Sequence, residues 1–215
     1  MKVAVLGSGV VGQALAAGFT SAGHDVTMGT RDPEAERIAE WVGQDGGRRA
    51  ATFEDAATWC ELAVLCTGWD GTENAIRLAG PDNLTAKVVI DVTNPLGHDE
   101  TGPTLALGHT DSGGEQVQRW LPQSHVVKTL NVLNANLMCN PKAFSGVTPE
   151  MWIAGNDTAA KATVDGLLTA FGWTVFDLGG IDRARLLEPL AMLWIVRAIK
   201  QGRFDFAFVP VTAGQ

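Results

Sequence analysis

Val3-Ala4-Val5-Leu6-Gly7-Ser8-Gly9-Val10-Val11-Gly12 is the stretch that decides the fold. Four apolar residues read as a buried strand, and a helical period begins just past the glycines. A GxGxxG pattern alone is weak, but directly after a strand and at the opening of a helix it becomes a dinucleotide-binding fingerprint. Gly7 permits the tight turn, Gly9 lets a pyrophosphate approach the backbone, and Gly12 lets the helix pack on the strand. Free N–H groups at the helix start then receive the phosphates, helped by the helix dipole. The competing reading is a glycine turn with no ligand.

Working outward, apolar runs of strand length alternate with segments of helical period, the βαβ pattern of a parallel sheet covered on both faces. The spacing predicts strands at 2–6, 24–28, 62–66, 87–91, 126–129, 151–154 and 173–176. Helices are predicted at 10–22, 33–43, 53–58, 71–80, 113–120, 158–171 and 183–201. This is an α/β, Rossmann-type doubly wound and mostly parallel sheet. Residues 94–112, rich in Gly, Pro, Thr and Asp, read as a loop at the carboxyl end of a strand, where open α/β sheets bind ligands. The chain divides into a nucleotide-binding unit, 1–178, and a C-terminal helical segment, 179–215. That segment carries Pro189 and then Phe204, Phe206 and Phe208, and is too apolar all round to lie bare on a monomer.

The end of the second strand sets the nucleotide preference. An NAD-binding chain places Asp or Glu there for the ribose hydroxyls. Here Thr30-Arg31 follows Gly29, offering a hydroxyl and a guanidinium where a 2′-phosphate would sit, so NADP is the expected cofactor. The alternative is that Arg31 merely pairs with Asp32 or caps the turn. Cys66-Thr67-Gly68-Trp69 and Thr93-Asn94-Pro95 follow the next two strands and should reach the nicotinamide side of the crevice. Trp69 is open to two readings, stacking on a ring or capping the core. Asn94 and Asn131 have the chemistry to bond a carboxamide, or only their own turns.

No conventional acid–base set accompanies these residues. His24, His98, His109 and His125 lack the spacing of a metal site or triad, and the chain has no tyrosine. Oxidation of an alcohol moves a proton as well as a hydride, whereas transfer between two ring cofactors needs mainly positioning and exclusion of water.

A formal net charge of −8 argues against a nucleic-acid surface, which needs clustered cations. No run of eighteen apolar residues suggests a membrane span. Met1 leads straight into a strand without a secretory h-region, so a cytoplasmic location is expected. Cys60, Cys66 and Cys139 lack CxxC spacing and read as packing residues, with no metal expected.

The motifs resemble those of the coenzyme F-420-dependent NADP oxidoreductase family along nearly the whole chain. They run from the glycine loop and Gly29-Thr30-Arg31 through Gly68-Trp69, Asn94-Pro95-Leu96 and Val127-Lys128-Thr129-Leu130-Asn131 to Arg183-Ala184-Arg185-Leu186-Leu187-Glu188-Pro189-Leu190. The resemblance implies hydride exchange between NADPH and a deazaflavin, coenzyme F-420 or a close analogue. Ser8, Gly9, Val10, Val11, Thr30, Arg31, Thr67, Gly68, Trp69, Asn94 and Pro95 then fall on NADP-binding stretches. It also implies a cleft closed by the C-terminal segment and a homodimer. Lys128, Arg183, Arg185 and Lys200 are candidate rim cations for an anionic acceptor tail. One departure is Asp32-Pro33-Glu34, where members often carry a further Lys or Arg for the phosphate. Two alternatives stand beside this reading: an NADPH-dependent reductase of a flavin, quinone or small imine, and a non-catalytic NADPH-binding redox sensor or scaffold.

Overall fold

Val3, Ala4, Val5 and Leu6 have no exposed surface, and their alternation divides the core. Val3 and Val5 pack with Leu15 and Phe19, while Ala4 and Leu6 pack with Phe53, Ala56 and Ile76 on the opposite face. A strand buried on both faces must be apolar throughout, which is why this one reads as a continuous run.

The computed structural model describes residues 1–44, 47–100, 102–147 and 149–213. In chain order the elements are β1 (Lys2–Leu6), α1 (Val10–Ser21), β2 (Asp25–Thr30), α2 (Glu36–Gly43), β3 (Ala50–Thr52), α3 (Phe53–Trp59), β4 (Leu62–Leu65), α4 (Trp69–Ala79) and β5 (Val88–Asp91). Then come β6 (Leu96–Asp99), β7 (Gly102–Leu105), α5 (Gly113–Trp120), β8 (His125–Lys128), β9 (Glu150–Gly155), α6 (Thr158–Phe171), β10 (Thr174–Asp177) and α7 (Ala184–Gln201). Eight strands form one sheet in the order β10-β9-β8-β5-β4-β1-β2-β3. Six of them, β3 through β8 in that order, run parallel; β9 runs antiparallel to β8, and β10 parallel to β9. The α/β, Rossmann-type, mostly parallel sheet is therefore as expected, with a long C-terminal helix. Among the described residues, no helix is long and apolar enough to cross a membrane.

Three features differ from the sequence reading. Strand β3 was not anticipated, because three residues cannot display a period. The segment read as a loop at 94–112 holds a short antiparallel hairpin, β6 with β7, in register Leu96↔Leu105 to Asp99↔Gly102. Thr101, between Glu100 and Gly102 in the sequence, lies outside the described residues. Helices begin later or earlier than expected by a few residues, α2 at Glu36 and α4 at Trp69.

The C-terminal helix is two-faced. Leu187, Glu188, Ala191, Trp194 and Ala198 are buried, whereas Leu186, Leu193 and Ile199 are more than half exposed. Beyond Gly202, which closes the helix in a left-handed conformation, the chain folds back along it. Trp194 Nε1 donates to the Phe206 carbonyl at 2.9 Å, the two rings stack 5.1 Å apart, and the Arg197 guanidinium lies 4.1 Å from the Phe206 ring centre. Gly214 and Gln215 lie outside the described residues.

Candidate functional site

The carboxyl ends of β1, β2 and β4 open into a cleft of about 440 Å³. Gly7 adopts φ +136°, and a Cβ there would stand 2.9 Å from the Cys66 carbonyl oxygen. A Cβ on Gly12 would meet the Gly7 carbonyl oxygen at 2.0 Å, so only glycine lets α1 start this close to β1. A Cβ on Gly9 meets nothing within 4 Å. The two outer glycines build the turn, and the middle one keeps the approach to the backbone open.

The first-turn amides of an α-helix have no intrahelical partner. Among the described residues no side chain caps α1, which starts directly after the cleft-lining Gly7, Ser8 and Gly9, and its first turn holds no acid to compensate those amides. This is the donor set of an anion site at a helix N-terminus.

Ser8 ties this loop to its neighbours. Its hydroxyl lies 3.3 Å from Thr30 Oγ1, and Arg37 Nη1, from the first turn of α2, donates to Ser8 Oγ at 3.2 Å and more weakly to its carbonyl at 3.4 Å. Thr30 is buried at the end of β2, while Arg31 is exposed and lines the cleft together with Arg37. Arg31 has no ion-pair or hydrogen-bond partner among the described residues, and the Asp32 carboxylate instead accepts the Glu34 amide at 3.0 Å. The bland pairing of Arg31 with Asp32 is therefore not made. Arg37 is the residue that sequence reading missed. It lies beyond Asp32-Pro33-Glu34 in the chain, but the turn into α2 returns it to the glycine loop.

Cys66, Thr67, Gly68 and Trp69 line the opposite wall. Burial pushes the Cys66 thiol up to about 12, and its Sγ lies 3.4 Å from the Leu6 carbonyl oxygen, so it packs as a neutral group. Cys139 is likewise pushed to about 12 by burial, and Cys60 is raised, burial again the largest cause. Thr67 bonds Thr72 through their hydroxyls at 2.9 Å, and Trp69 leans on Trp120 at 5.6 Å between rings while remaining on the cleft wall. Trp69 thus packs against a core-side tryptophan and also presents itself to the cleft. Val10 is largely exposed and Val11 half-buried at the start of α1, so their contribution to the site is backbone.

Thr93, Asn94, Pro95 and Asn131 are not among the residues lining this cleft. Asn94 and Asn131 form a bonded pair of their own. Asn94 Nδ2 donates to the Asn131 carbonyl at 2.9 Å, and Asn131 Nδ2 donates to Asn94 Oδ1 at 2.9 Å and to the Leu187 carbonyl at 3.1 Å. Asn131 Oδ1 is buried without a partner among the described residues. A buried acceptor left in that state suits a donor such as a carboxamide N–H. Thr93 donates its amide and hydroxyl to Asp91 Oδ1 at 2.9 and 2.7 Å.

One expected rim cation is not on a rim, and another stands at a cleft edge but is already paired. Lys128 is wholly buried between Asp91 and Glu188, and Arg185 is paired with Glu115, Nε to Oε2 at 2.8 Å. The apolar run Val126-Val127 before Lys128 is the available signal, because a lysine ending a buried apolar run has no route to water. Arg183 and Lys200 remain exposed. Among the described residues no cluster of His, Cys, Asp and Glu has the makings of a metal site.

Three comparisons bear on this geometry. Residues 2–95 match the family described as NADP oxidoreductase, coenzyme F420-dependent. A crystal structure of a provisionally assigned F420-dependent NADP-reductase from Arthrobacter sp. FB24 is 40% identical, covers 99% of this chain and 100% of its own, and superposes with a TM-score of 0.94. The chain belongs to the F420-dependent NADP oxidoreductase family. It is accordingly an NAD(P)-binding oxidoreductase, as its glycine loop suggests. An F420-dependent NADP reductase from Methanothermobacter thermautotrophicus is 28% identical over 91% of this chain and 88% of its own. Metalloreductase STEAP3 of Rattus norvegicus is 30% identical over 89% of this chain, which spans only 37% of that protein's length.

Proposed function

We propose that the chain transfers hydride between NADP(H) and a deazaflavin of the coenzyme F-420 type. The observation that carries the NADP half is the convergence of Thr30, Arg31, Arg37 and Ser8 at the end of β2, with no carboxylate taking the place an NAD-binding chain gives to Asp or Glu. Two guanidiniums beside a 2′-phosphate supply charge-assisted, potentially bidentate bonds that a 2′-hydroxyl cannot return.

The roles of the residues follow. Amides of the Gly7–Gly12 loop hold the pyrophosphate, and Arg31 and Arg37 hold the 2′-phosphate. Trp69 and Thr67 flank the path toward the nicotinamide, and Asn131, oriented by Asn94, accepts from its carboxamide. When bound, the nicotinamide supplies a hydride from C4. The protein's part is to hold donor and acceptor carbons about 3–3.5 Å apart and to exclude water. That is compatible with a cleft whose cysteine is kept neutral by burial and whose wall, among the described residues, carries no histidine.

The acceptor half rests on the similarity to the Methanothermobacter reductase and on a second cleft of about 620 Å³. That cleft lies between residues 105–109 and the start of α7, across the Leu96–Leu105 pair from the first, with Arg183 at its edge for an anionic tail. On this reading 1–178 is the nucleotide-binding unit and 179–215 closes the cleft. The bare apolar face of α7, with Leu186, Leu193 and Ile199, joins two copies into a homodimer. Following NADPH oxidation with the deazaflavin, FMN or ferric iron as acceptor tests the acceptor. Turnover with FMN or ferric iron alone would replace the deazaflavin with the acceptor that works.

A further inference from the structure

Asp91, Lys128 and Glu188 form an ion cluster sealed from solvent, with no side chain more than 1% exposed. Lys128 Nζ lies 3.0 Å from Asp91 Oδ2, 3.0 Å from Glu188 Oε1 and 2.5 Å from the Thr93 carbonyl oxygen, so its three protons are all engaged. Both acids accept at both oxygens. Asp91 Oδ1 receives the Thr93 amide and hydroxyl, and Glu188 receives the Gly113 amide on Oε2 and the Gly114 amide on Oε1. That is the bonding of a carboxylate, not of a carboxylic acid. Two carboxylates and one ammonium leave one negative charge in a dry site. Amides at the start of α5 disperse part of it. Among the described residues no second cation touches either acid, since Arg185 is engaged with Glu115.

A buried ion cluster is a poor source of stability, because well-packed apolar side chains would hold α7 in place at least as well. Its location is more informative. Asp91 ends β5 just before Thr93-Asn94-Pro95, and Lys128 ends β8. Gly113 is wedged between the cluster and the cleft wall: a Cβ there would stand 3.0 Å from Glu188 Oε1, 3.1 Å from Trp69 Cζ3 and 3.3 Å from Pro95 Cδ. A single glycine separates the charge from the wall of the cleft.

We propose that this buried negative charge favours the oxidised, cationic nicotinamide over the neutral reduced one, and so inclines bound NADPH to give up hydride. The inference rests on the NADP(H) reading above. Loss of hydride, which carries its electron pair to a carbon of a two-electron acceptor such as a deazaflavin, converts a neutral ring into a cation. A fixed anion in a low-dielectric wall stabilises that cation with little screening by solvent. Asp91 and Glu188 do not touch the reacting atoms and act through their field.

The test is calorimetric titration of NADP⁺, NADPH and 2′,5′-ADP into wild type, Glu188→Gln and Asp91→Asn. Each variant removes one negative charge, from opposite sides of Lys128. Both should weaken NADP⁺ relative to NADPH by about tenfold, while 2′,5′-ADP, which lacks the nicotinamide, binds all three proteins alike. A role confined to holding α7 would not move the ratio of oxidised to reduced affinity. An unchanged or inverted ratio in either folded variant, with 2′,5′-ADP still bound, overturns the inference alone. Failure of 2′,5′-ADP to bind wild type overturns the cofactor reading and the inference with it. Should neither variant fold, wild type decides. NADP⁺ binding at least as tightly as NADPH supports the inference, and NADPH binding more than about tenfold tighter overturns it.

Discussion

Arg37 and Ser8, 29 positions apart in the chain, meet at the mouth of the cleft with Nη1 3.2 Å from the serine hydroxyl. This contact brings a second guanidinium to the end of β2, beside Arg31, which has no partner among the described residues. A charge-assisted hydrogen bond is worth roughly 1.5–3 kcal/mol. Arg31→Ala should therefore raise the KM for NADPH by about 10- to 100-fold and leave that for NADH nearly unchanged. Arg37→Ala should act in the same direction but less, since Arg37 also holds Ser8. Steady-state kinetics with both nucleotides checks this, and equal losses for NADPH and NADH would remove the phosphate role.

The glycines separate fold from binding. Gly12→Ala sets a Cβ against the Gly7 carbonyl oxygen, backbone that cannot swing aside, so the variant should lose roughly 3 kcal/mol or more and melt early. Gly9→Ala adds a methyl to open space, so its melting temperature should stay near that of wild type while nucleotide affinity falls. Thermal melts with and without NADPH distinguish the two.

Stability should fall on both sides of a pH window. Burial is the first cause that pushes the His24 pKa down, so the folded state resists its protonation, and stability present above the unfolded value of about 6.5 is lost as pH falls below it. The Arg185 guanidinium holds the Glu115 carboxyl below its ordinary range, so its contribution is complete above about 4.3 and is lost as pH falls through the folded value. Burial opposes the charge on Lys128, but Asp91 and Glu188 more than offset it and raise its pKa. That contribution is complete below about 10.4 and is lost as pH climbs through the folded value. Melting temperatures across pH should show an acid slope starting near 6.5 that His24→Gln flattens. An unchanged slope in that variant would free His24 of the role.

The exposed face of α7 should be an interface between copies. Sedimentation of wild type at micromolar concentration is expected to give a dimer, and Leu193→Glu with Ile199→Glu a folded monomer that still binds 2′,5′-ADP. A monomeric wild type would leave the apolar face unexplained by self-association.

Much of the fold can be read from the chain because its central strands are buried on both faces, so Val3–Leu6 and Leu62–Leu65 stand out as unbroken apolar runs. The glycine loop is equally legible, since its function depends on backbone rather than on distant partners. Strand β3 and the β6–β7 hairpin are too short to show a period, and the antiparallel entry of β9 depends on a pairing that no local pattern encodes. The site divides along the same line. Thr30 and Arg31 follow directly from the end of β2, but Arg37 joins them only through the turn into α2. Glu188, in an otherwise apolar stretch of helix, looks like a solvent-facing acid until the fold places Lys128 and two α5 amides against it.

The most direct test of the central claim is NADPH oxidation, followed by absorbance, with purified deazaflavin coenzyme as acceptor and NADH as the competing donor. The account predicts turnover with NADPH and a kcat/KM for NADH lower by about 10-fold or more. Equal efficiency with both donors would contradict the assignment of Arg31 and Arg37 to a 2′-phosphate, and no turnover with the deazaflavin would contradict the proposed acceptor.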